Sequence, residues 1–305
     1  MALAQPAPTD TELDAWCLRW LGSGVSETLF RNAHLSAVVG VRLKDDREVV
    51  VKVRPPAARL AVCTAVQQAL WHSGFPCPRP LLGPVPFGAH AATAEVRVPG
   101  GDLLALDGVA QYAELLARLV RQAPRPKAAD MFTPHPPWTA WDHTLGRIWP
   151  PADDRDADLN ALPDTAWLDE VGERVRRRLR SGPAGPTVVG HGDWGAHNLR
   201  WRDGQPWAVH DWDSVISAPE PVLVGLAAAC WPTGVVLRPA TLDESAAFVE
   251  AYQQAAGCRW SAGQVQAAWA ASLWIDAFNA KKLALDGVAW LSPEEADRRL
   301  TLAGA

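Results

Sequence analysis

Two runs of β-branched residues, Ala37-Val-Val-Gly-Val-Arg-Leu43 and Glu48-Val-Val-Val-Lys-Val53, flank the polar tetrapeptide Lys44-Asp-Asp-Arg47. Strand-forming runs this close together predict a β-hairpin, which commits the first part of the chain to an antiparallel sheet. Residues 12–21 carry apolar side chains at helical spacing and stop at Gly22. Leu60, Cys63, Val66 and Leu70 repeat every three or four residues until Gly74-Phe-Pro-Cys-Pro ends the pattern, which predicts a second helix. Ala94-Glu-Val-Arg-Val reads as a further strand running into Pro99-Gly100-Gly101. The order helix, strands, helix, strand predicts a small α+β lobe over residues 1–100.

Residues 101–305 read as mainly helical. Leu115, Leu116, Leu119 and Val120 share one helical face. Trp167 to Leu179 reads as a helix whose outer face carries Arg174, Arg176, Arg177, Arg178 and Arg180, the pattern of a solvated face. Leu242 to Ala256 and Ala262 to Leu285 read as amphipathic helices, and Pro124 to Pro163 has no period and reads as a long surface excursion.

Composition narrows the function classes. The chain has 305 residues, enough for two compact units that need no metal or disulfide staple to fold. Its 48% hydrophobic and 21% charged residues exclude a disordered chain. A formal charge of −5, from 29 Lys and Arg against 34 Asp and Glu, supplies no basic footprint for nucleic acid. The longest apolar stretch, Val222 to Trp231, is far shorter than the roughly 20 residues a membrane helix needs, and the first ten residues lack the features of a secretory signal. Five scattered cysteines suit a reducing cytoplasm. The expected partners are therefore neither nucleic acid nor membrane. The 16 Trp fit core packing, or the lining of a ligand cleft.

The most informative stretch is Val188-Val-Gly-His191-Gly-Asp193-Trp-Gly-Ala-His197-Asn198, followed by Leu199-Arg-Trp-Arg202, Asp203-Gly-Gln-Pro206 and Trp207-Ala-Val-His-Asp211-Trp-Asp213. Leu199–Arg202 and Trp207–His210 read as two short strands around a turn-rich tetrapeptide. A four-residue loop would set Arg202 opposite Trp207 and Asn198 opposite Asp211. Directly opposed residues have Cβ atoms about 4.5 to 5.5 Å apart, close enough for an amide oxygen and a carboxylate to share one ion. Mg²⁺ takes oxygen ligands and keeps room for substrate phosphates, so this pair suits a Mg-nucleotide. Asp193, on an irregular loop, would supply a second carboxylate free to accept a hydroxyl proton. His191, His197 and His210 admit a different reading, a transition-metal hydrolase with Asp211. Asp193, Asn198 and Asp211 admit another as capping and turn groups.

His191-Gly-Asp193 with Asn198 beyond it, then a strand into Asp211-Trp-Asp213, resembles the signature of the aminoglycoside phosphotransferases and related small-molecule kinases. Val50-Val-Lys52-Val resembles that family's strand lysine, Gly74-Phe-Pro-Cys-Pro-Arg-Pro its connection after the first-lobe helix, and Val98-Pro-Gly100-Gly101 its lobe hinge. The resemblance runs in order from about residue 20 to 285. It implies a protein-kinase-like bilobal α+β fold, with a small N-terminal antiparallel-sheet lobe that binds nucleotide and a larger, mainly helical C-terminal lobe. It implies ATP or GTP with Mg²⁺ as cofactors and a small-molecule acceptor. By resemblance, Asp193 orients or deprotonates the acceptor hydroxyl, Asn198 and Asp211 hold the metal, and Lys52 sits on the α and β phosphates. His191 braces the catalytic turn and Asp213 assists.

Three positions depart from the family pattern. The first-lobe helix offers Cys63, Thr64, Gln67 and Gln68 where a Glu usually pairs with the strand lysine. Glu220-Pro-Val-Leu-Val-Gly225 lacks the usual loop-securing Asp, and Val120 stands where a His is common. The missing helix Glu motivates an alternative, a nucleotide-binding scaffold with little turnover. For the acceptor, Trp274 and Asp276 on a helical run, and Asp153, Asp154, Asp156 and Asp158 in the excursion, are candidate recognition groups for a cationic molecule.

Overall fold

A computed structural model describes residues 7–33, 35–126, 132–181 and 185–305. The chain divides into two compact units, Met1–Gly101 with Ala208–Asp213, and Asp102–Trp207 with Ser214–Ala305.

The first unit opens with helix α1 (Asp10–Leu21), held at its start by a Thr9/Glu12 capping box and stopped by Gly22 at φ 77°. Five antiparallel strands follow in the spatial order β1-β2-β3-β5-β4: β1 (Val25–Ala33), β2 (Ala37–Leu43), β3 (Glu48–Arg54), β4 (Pro80–Phe87) and β5 (His90–Val96). Helix α2 (Arg59–His72) lies between β3 and β4 in the chain. The predicted hairpin forms β2 and β3, with Val39 opposite Val51 and Val41 opposite Val49. Strands β1 and β4 were hidden in the sequence for different reasons. The first is mostly exposed and alternates poorly, and the second carries Pro80, Pro84 and Pro86, tolerated because it is an edge strand.

Period-two alternation divides β3 between two faces. Val49, Val51 and Val53 join Val39, Val41 and Leu43 in a core with Leu13, Trp16 and Cys17 of α1. Val50, Lys52 and Arg54 therefore point to the opposite face, as do Thr93, directly across from Lys52, and Glu95, across from Val50.

The second unit is mainly helical: α3 (Val109–Gln122), α4 (Ala166–Arg180), α5 (Glu220–Cys230), α6 (Leu242–Ala256), α7 (Ala262–Ala284) and α8 (Pro293–Ala303). Strands β6 (Thr187–His191) and β9 (Val215–Pro219) pair antiparallel, with Gly190 opposite Ile216. Between them, β7 (Leu199–Arg202) and β8 (Gln205–Val209) form a two-stranded ribbon. Helix α5 packs closely on α7: a Cβ on Gly225 would stand 2.0 Å from the Ala268 carbonyl oxygen, so only glycine fits there. Glu220, at the start of α5, accepts the Tyr252 hydroxyl at 2.9 Å and ties that helix to α6.

Several polar groups expected at the surface instead pin this unit together. Arg176 donates to the carbonyls of Trp141 (2.9 Å) and His143 (2.8 Å), and Arg178 to those of Ala303 (3.1 Å) and Gly263 (2.9 Å), so the α4 arginines are not simply a solvated face. Arg176 thereby clamps the excursion, whose described residues include 3₁₀ turns at Pro137–Thr139 and Leu159–Ala161; residues 127–131 lie outside the described residues. Three of the four aspartates named for it have partners of their own. Asp153 meets Lys282 at 2.8 Å, Asp154 meets Arg155 at 3.0 Å, and Asp158 accepts the Asn160 N–H at 3.1 Å. Trp274 is fully buried and stacks on Trp149 with ring centroids 5.1 Å apart. Asp276 is buried and paired with the buried Arg299 at 3.2 Å. The pairing of Trp274 and Asp276 as acceptor-recognition groups is therefore corrected: both are core residues.

Burial pushes the Asp276 carboxyl up to about 6 against an ordinary 3.8, although Arg299 pulls it down. A raised carboxyl favours the folded state when protonated, so its contribution is complete below pH 3.8 and is lost as pH rises through about 6. The thermal stability of the wild type relative to Asp276→Asn should therefore increase on going from pH 8 to pH 5. Parallel melting curves that keep a constant gap across this range would contradict the assignment.

Candidate active site

The first unit gathers its charges on the sheet face opposite α1. Lys52 and Glu95 are both buried, at 8% and 6% exposure, and their side chains meet at 3.2 Å. Gln67 of α2 donates its amide nitrogen to Glu95 Oε2 and to the Pro78 carbonyl, both at 2.9 Å. Burial alone would lower the Lys52 pKa, but the negative charges of Glu95, Asp211 and Asp213 outweigh it and raise it, against an opposing effect of Arg54. The ammonium is therefore retained in a dry setting.

The Asp211-Trp-Asp213 segment belongs to this same unit. Trp212 anchors it: its indole N–H donates to the Val209 carbonyl at 2.8 Å and its ring meets Phe75 edge-on at 5.9 Å. Val209 in turn donates its N–H to the Pro76 carbonyl at 2.8 Å, so the Gly74-Phe-Pro-Cys-Pro connection receives the strand that ends at the motif. Asp211 is held at φ 62°, in the left-handed region that costs a residue other than glycine about 1 kcal/mol or more. Asp213 forms an ion pair with Arg54, and its carbonyl accepts Arg59 Nη1 at 2.5 Å. Burial raises the Asp213 pKa, Asp211 adds to the rise, and Arg54 and Lys52 oppose it. A small cavity lined by Lys52, Arg54, Thr93, Glu95 and Asp213 lies on this face. Two buried polar atoms in its walls, Arg54 Nε and Asp213 Oδ1, have no hydrogen-bond partner among the described residues. Its walls thus pair two cations, Lys52 and Arg54, with two acids, Glu95 and Asp213, and leave one donor and one acceptor atom open to a further polar partner.

The second unit holds the His191 to Asn198 loop. His191 ends β6, and its Nδ1 accepts the Asp193 N–H at 3.2 Å, so the ring braces the turn. Gly192 donates its N–H to the Ser214 carbonyl at 2.7 Å and accepts the Trp138 indole N–H at 2.9 Å. The Trp194 indole donates to the Tyr112 carbonyl at 3.1 Å. Asp193 Oδ2 receives the Asn198 amide nitrogen at 2.9 Å and faces His197 Nε2 at 3.2 Å, while His197 Nδ1 lies 3.1 Å from the Thr233 carbonyl. Burial would raise the Asp193 pKa, but the hydrogen bond and charge of His197, with His191 and Asn198, outweigh it and hold the carboxyl below its ordinary value. Asn198 closes a 3₁₀ turn, and its amide nitrogen is spent on the Asp193 carbonyl (3.1 Å) and carboxylate. The Asn198 oxygen is thus the atom of that amide suited to a cation. An amide oxygen is a hard donor of the kind Mg²⁺ takes.

The ribbon corrects one expectation. Asp203 and Gly204 are both left-handed, at φ 52° and 70°, and make a two-residue turn rather than a four-residue loop. Neither Asn198 nor Asp211 lies within the strands, which end at Leu199 and Val209. The opposition of these two residues that was read from a four-residue loop therefore does not hold. Arg202 still meets Trp207, its guanidinium 3.5 Å from the ring centroid. Among the described residues, no group of three or more His, Cys, Asp or Glu is arranged to hold a metal ion, so the histidine-rich hydrolase reading has no cluster to stand on. The site residues that sequence reasoning missed are Arg54 and Glu95. The only sequence signal for Glu95 is an acid among the small and apolar residues Ala91, Ala92, Ala94 and Val96.

Removing one partner of a buried ion pair leaves the other uncompensated. Arg54→Met should therefore destabilise the protein by about 2 to 4 kcal/mol in denaturant titration, and adding Asp213→Asn should recover most of that loss. Additive losses in the double variant would show that the pair does not act as a unit.

The chain is similar in sequence pattern and in fold to known phosphotransferases. The model of the phosphotransferase enzyme family (APH) matches residues 28–271. Among solved structures, an amicoumacin kinase in complex with AMP-PNP and Ca²⁺ superposes with a TM-score of 0.64 at 11% identity, covering 91% of this chain and 86% of that one. Aminoglycoside phosphotransferase APH(4)-Ia, in a ternary complex with ADP and hygromycin B, gives 0.62 at 14% identity, with 96% and 99% covered. Spectinomycin phosphotransferase APH(9)-Ia, in complex with ADP and spectinomycin, gives 0.55 at 12%, with 98% and 94% covered. No curated protein sequence matches the chain. At these identities the structures share the fold, the protein-kinase-like α+β architecture, and the family match settles membership: the chain belongs to the phosphotransferase enzyme family.

Proposed function

We propose that the protein transfers the γ-phosphate of a Mg-bound nucleoside triphosphate, ATP or GTP, to a hydroxyl of a small polar molecule of the aminoglycoside kind. The observation that carries this reading is Asp193, a carboxylate kept ionised within a braced turn by His197 and Asn198. A carboxylate fixed in this way accepts a hydrogen bond from an acceptor hydroxyl, aims its oxygen and takes its proton as the bond to phosphorus forms. His197 limits the rotation of that carboxylate, and His191 and Trp138 fix the backbone beneath it.

Residues 1–100 supply the nucleotide side. Lys52 neutralises α and β phosphate oxygens, a task suited to an ammonium that stays charged when buried. Residues 101–305 supply Asp193 and the acceptor side. Asn198 and Asp211 would hold Mg²⁺, which when bound neutralises the charge on the phosphate oxygens. A cationic acceptor suits a protein of net charge −5. The relatives' antibiotic ligands favour the same class, and with it a role in antibiotic resistance. Among the described residues no helix is long and apolar enough to cross a membrane, and the free cysteines fit a reducing cytoplasm. The scaffold alternative loses its motive, since Lys52 has an acidic partner in Glu95.

Two substitutions divide the roles. In an ADP-release assay over a panel of amino sugars and amino alcohols, Asp193→Ala should lower acceptor-stimulated turnover by about a thousandfold, with Mg-ATP affinity changed by less than about threefold. Retained turnover would remove Asp193 from its role. Asp211→Ala should weaken Mg-ATP binding in titration calorimetry by about tenfold or more while leaving Mg-free ATP binding nearly unchanged. Equal losses with and without Mg²⁺ would remove the metal assignment.

A further inference from the structure

A buried ammonium needs an acid within reach, and the helix that follows β3 has none at Cys63, Thr64, Gln67 or Gln68. The sheet itself provides it. Lys52 stands directly across from Thr93 on β5, and Glu95, two residues on, shares its face. Long side chains span such a diagonal across neighbouring strands, and here they meet at 3.2 Å. The remaining carboxylate oxygen of Glu95 is taken by Gln67 at 2.9 Å, and the same amide nitrogen is tied to the Pro78 carbonyl. Each member of the chain Lys52, Glu95, Gln67 is buried.

We infer that Glu95 and Gln67 are the positioning residues that aim Lys52, with the acid carried by strand β5 and the helix contributing only a neutral amide. The inference rests on the reading of Lys52 as the cation for the nucleotide phosphates. It has a mechanical consequence. Strands β3 and β5 are joined along six paired positions, from Val49 with Val96 to Arg54 with Ala91, so the Lys52–Glu95 pair is built into one sheet and helix α2 enters only through the Gln67 amide. Without Glu95, Asp211 and Asp213 are the acids left acting on Lys52.

A double-mutant cycle on Mg-ATP binding tests this without knowledge of the acceptor. Lys52→Met, Glu95→Gln and the double variant are compared with the full-length wild type by titration calorimetry, after thermal unfolding confirms that each is folded. Lys52→Met is expected to weaken binding by about thirtyfold and Glu95→Gln by about tenfold, with the double variant within about twofold of Lys52→Met alone. A double variant weakened by the product of the two effects would show that Glu95 acts independently of Lys52 and would overturn the inference, as would a Glu95→Gln that binds like the wild type. If Lys52→Met itself binds Mg-ATP normally, the nucleotide reading of Lys52 fails instead. Should Glu95→Gln not fold, Gln67→Ala keeps both charges. It should weaken binding by about threefold in the wild type and not at all beside Lys52→Met, and an equal loss in both backgrounds would overturn the inference.

Discussion

The buried pair of Lys52 and Glu95 is the constraint around which the first unit is arranged. An ammonium taken out of water costs several kcal/mol unless an acid lies within hydrogen-bond reach, and that acid needs its own second oxygen satisfied. Gln67 meets the latter need. Placing both charges on one sheet face requires that Val49, Val51 and Val53 fill the other, so the hydrophobic core under α1 and the charged cavity are two consequences of one alternation. Arg54 continues that alternation and brings Asp213 and the left-handed Asp211 with it.

The second unit solves a different problem: how to keep a loop rigid when it has little regular structure. Main-chain hydrogen bonds do most of it. Gly192 is held to Ser214 and Trp138, and Ala196 and His197 donate their N–H groups to the carbonyls of Trp231 and Thr233 at 3.0 and 3.1 Å. A Cβ on Gly192 would meet the Ser214 carbonyl oxygen at 3.0 Å, a crowded approach that glycine avoids. The indoles of Trp138 and Trp194, tethered through their N–H groups, account for part of the unusual Trp content.

How much of this was legible in the sequence follows from the range of the interactions involved. Hairpin β2–β3, helix α1 with its Gly22 stop, helix α2 and helix α6 depend on local periodicity and caps, and were read nearly to the residue. Strands β1 and β4 were not, because their pairing comes from neighbours rather than from their own pattern. The order His191, Asp193, Asn198, Asp211 pointed to phosphoryl transfer, while the turn at Asp203-Gly204 was read two residues too long. Long-range charge pairing was invisible. Nothing local marks Asp276 as the partner of Arg299, or Glu95 as the partner of Lys52, since each depends on where another element packs.

The account stands on transfer of phosphorus to an organic hydroxyl. The most direct measurement follows the label from γ-³²P-ATP in the presence of Mg²⁺ and a mixture of amino sugars. Label should accumulate in an acid-stable phosphoester of one acceptor. Label recovered solely as inorganic phosphate, or left on the nucleotide across the whole mixture, would contradict it.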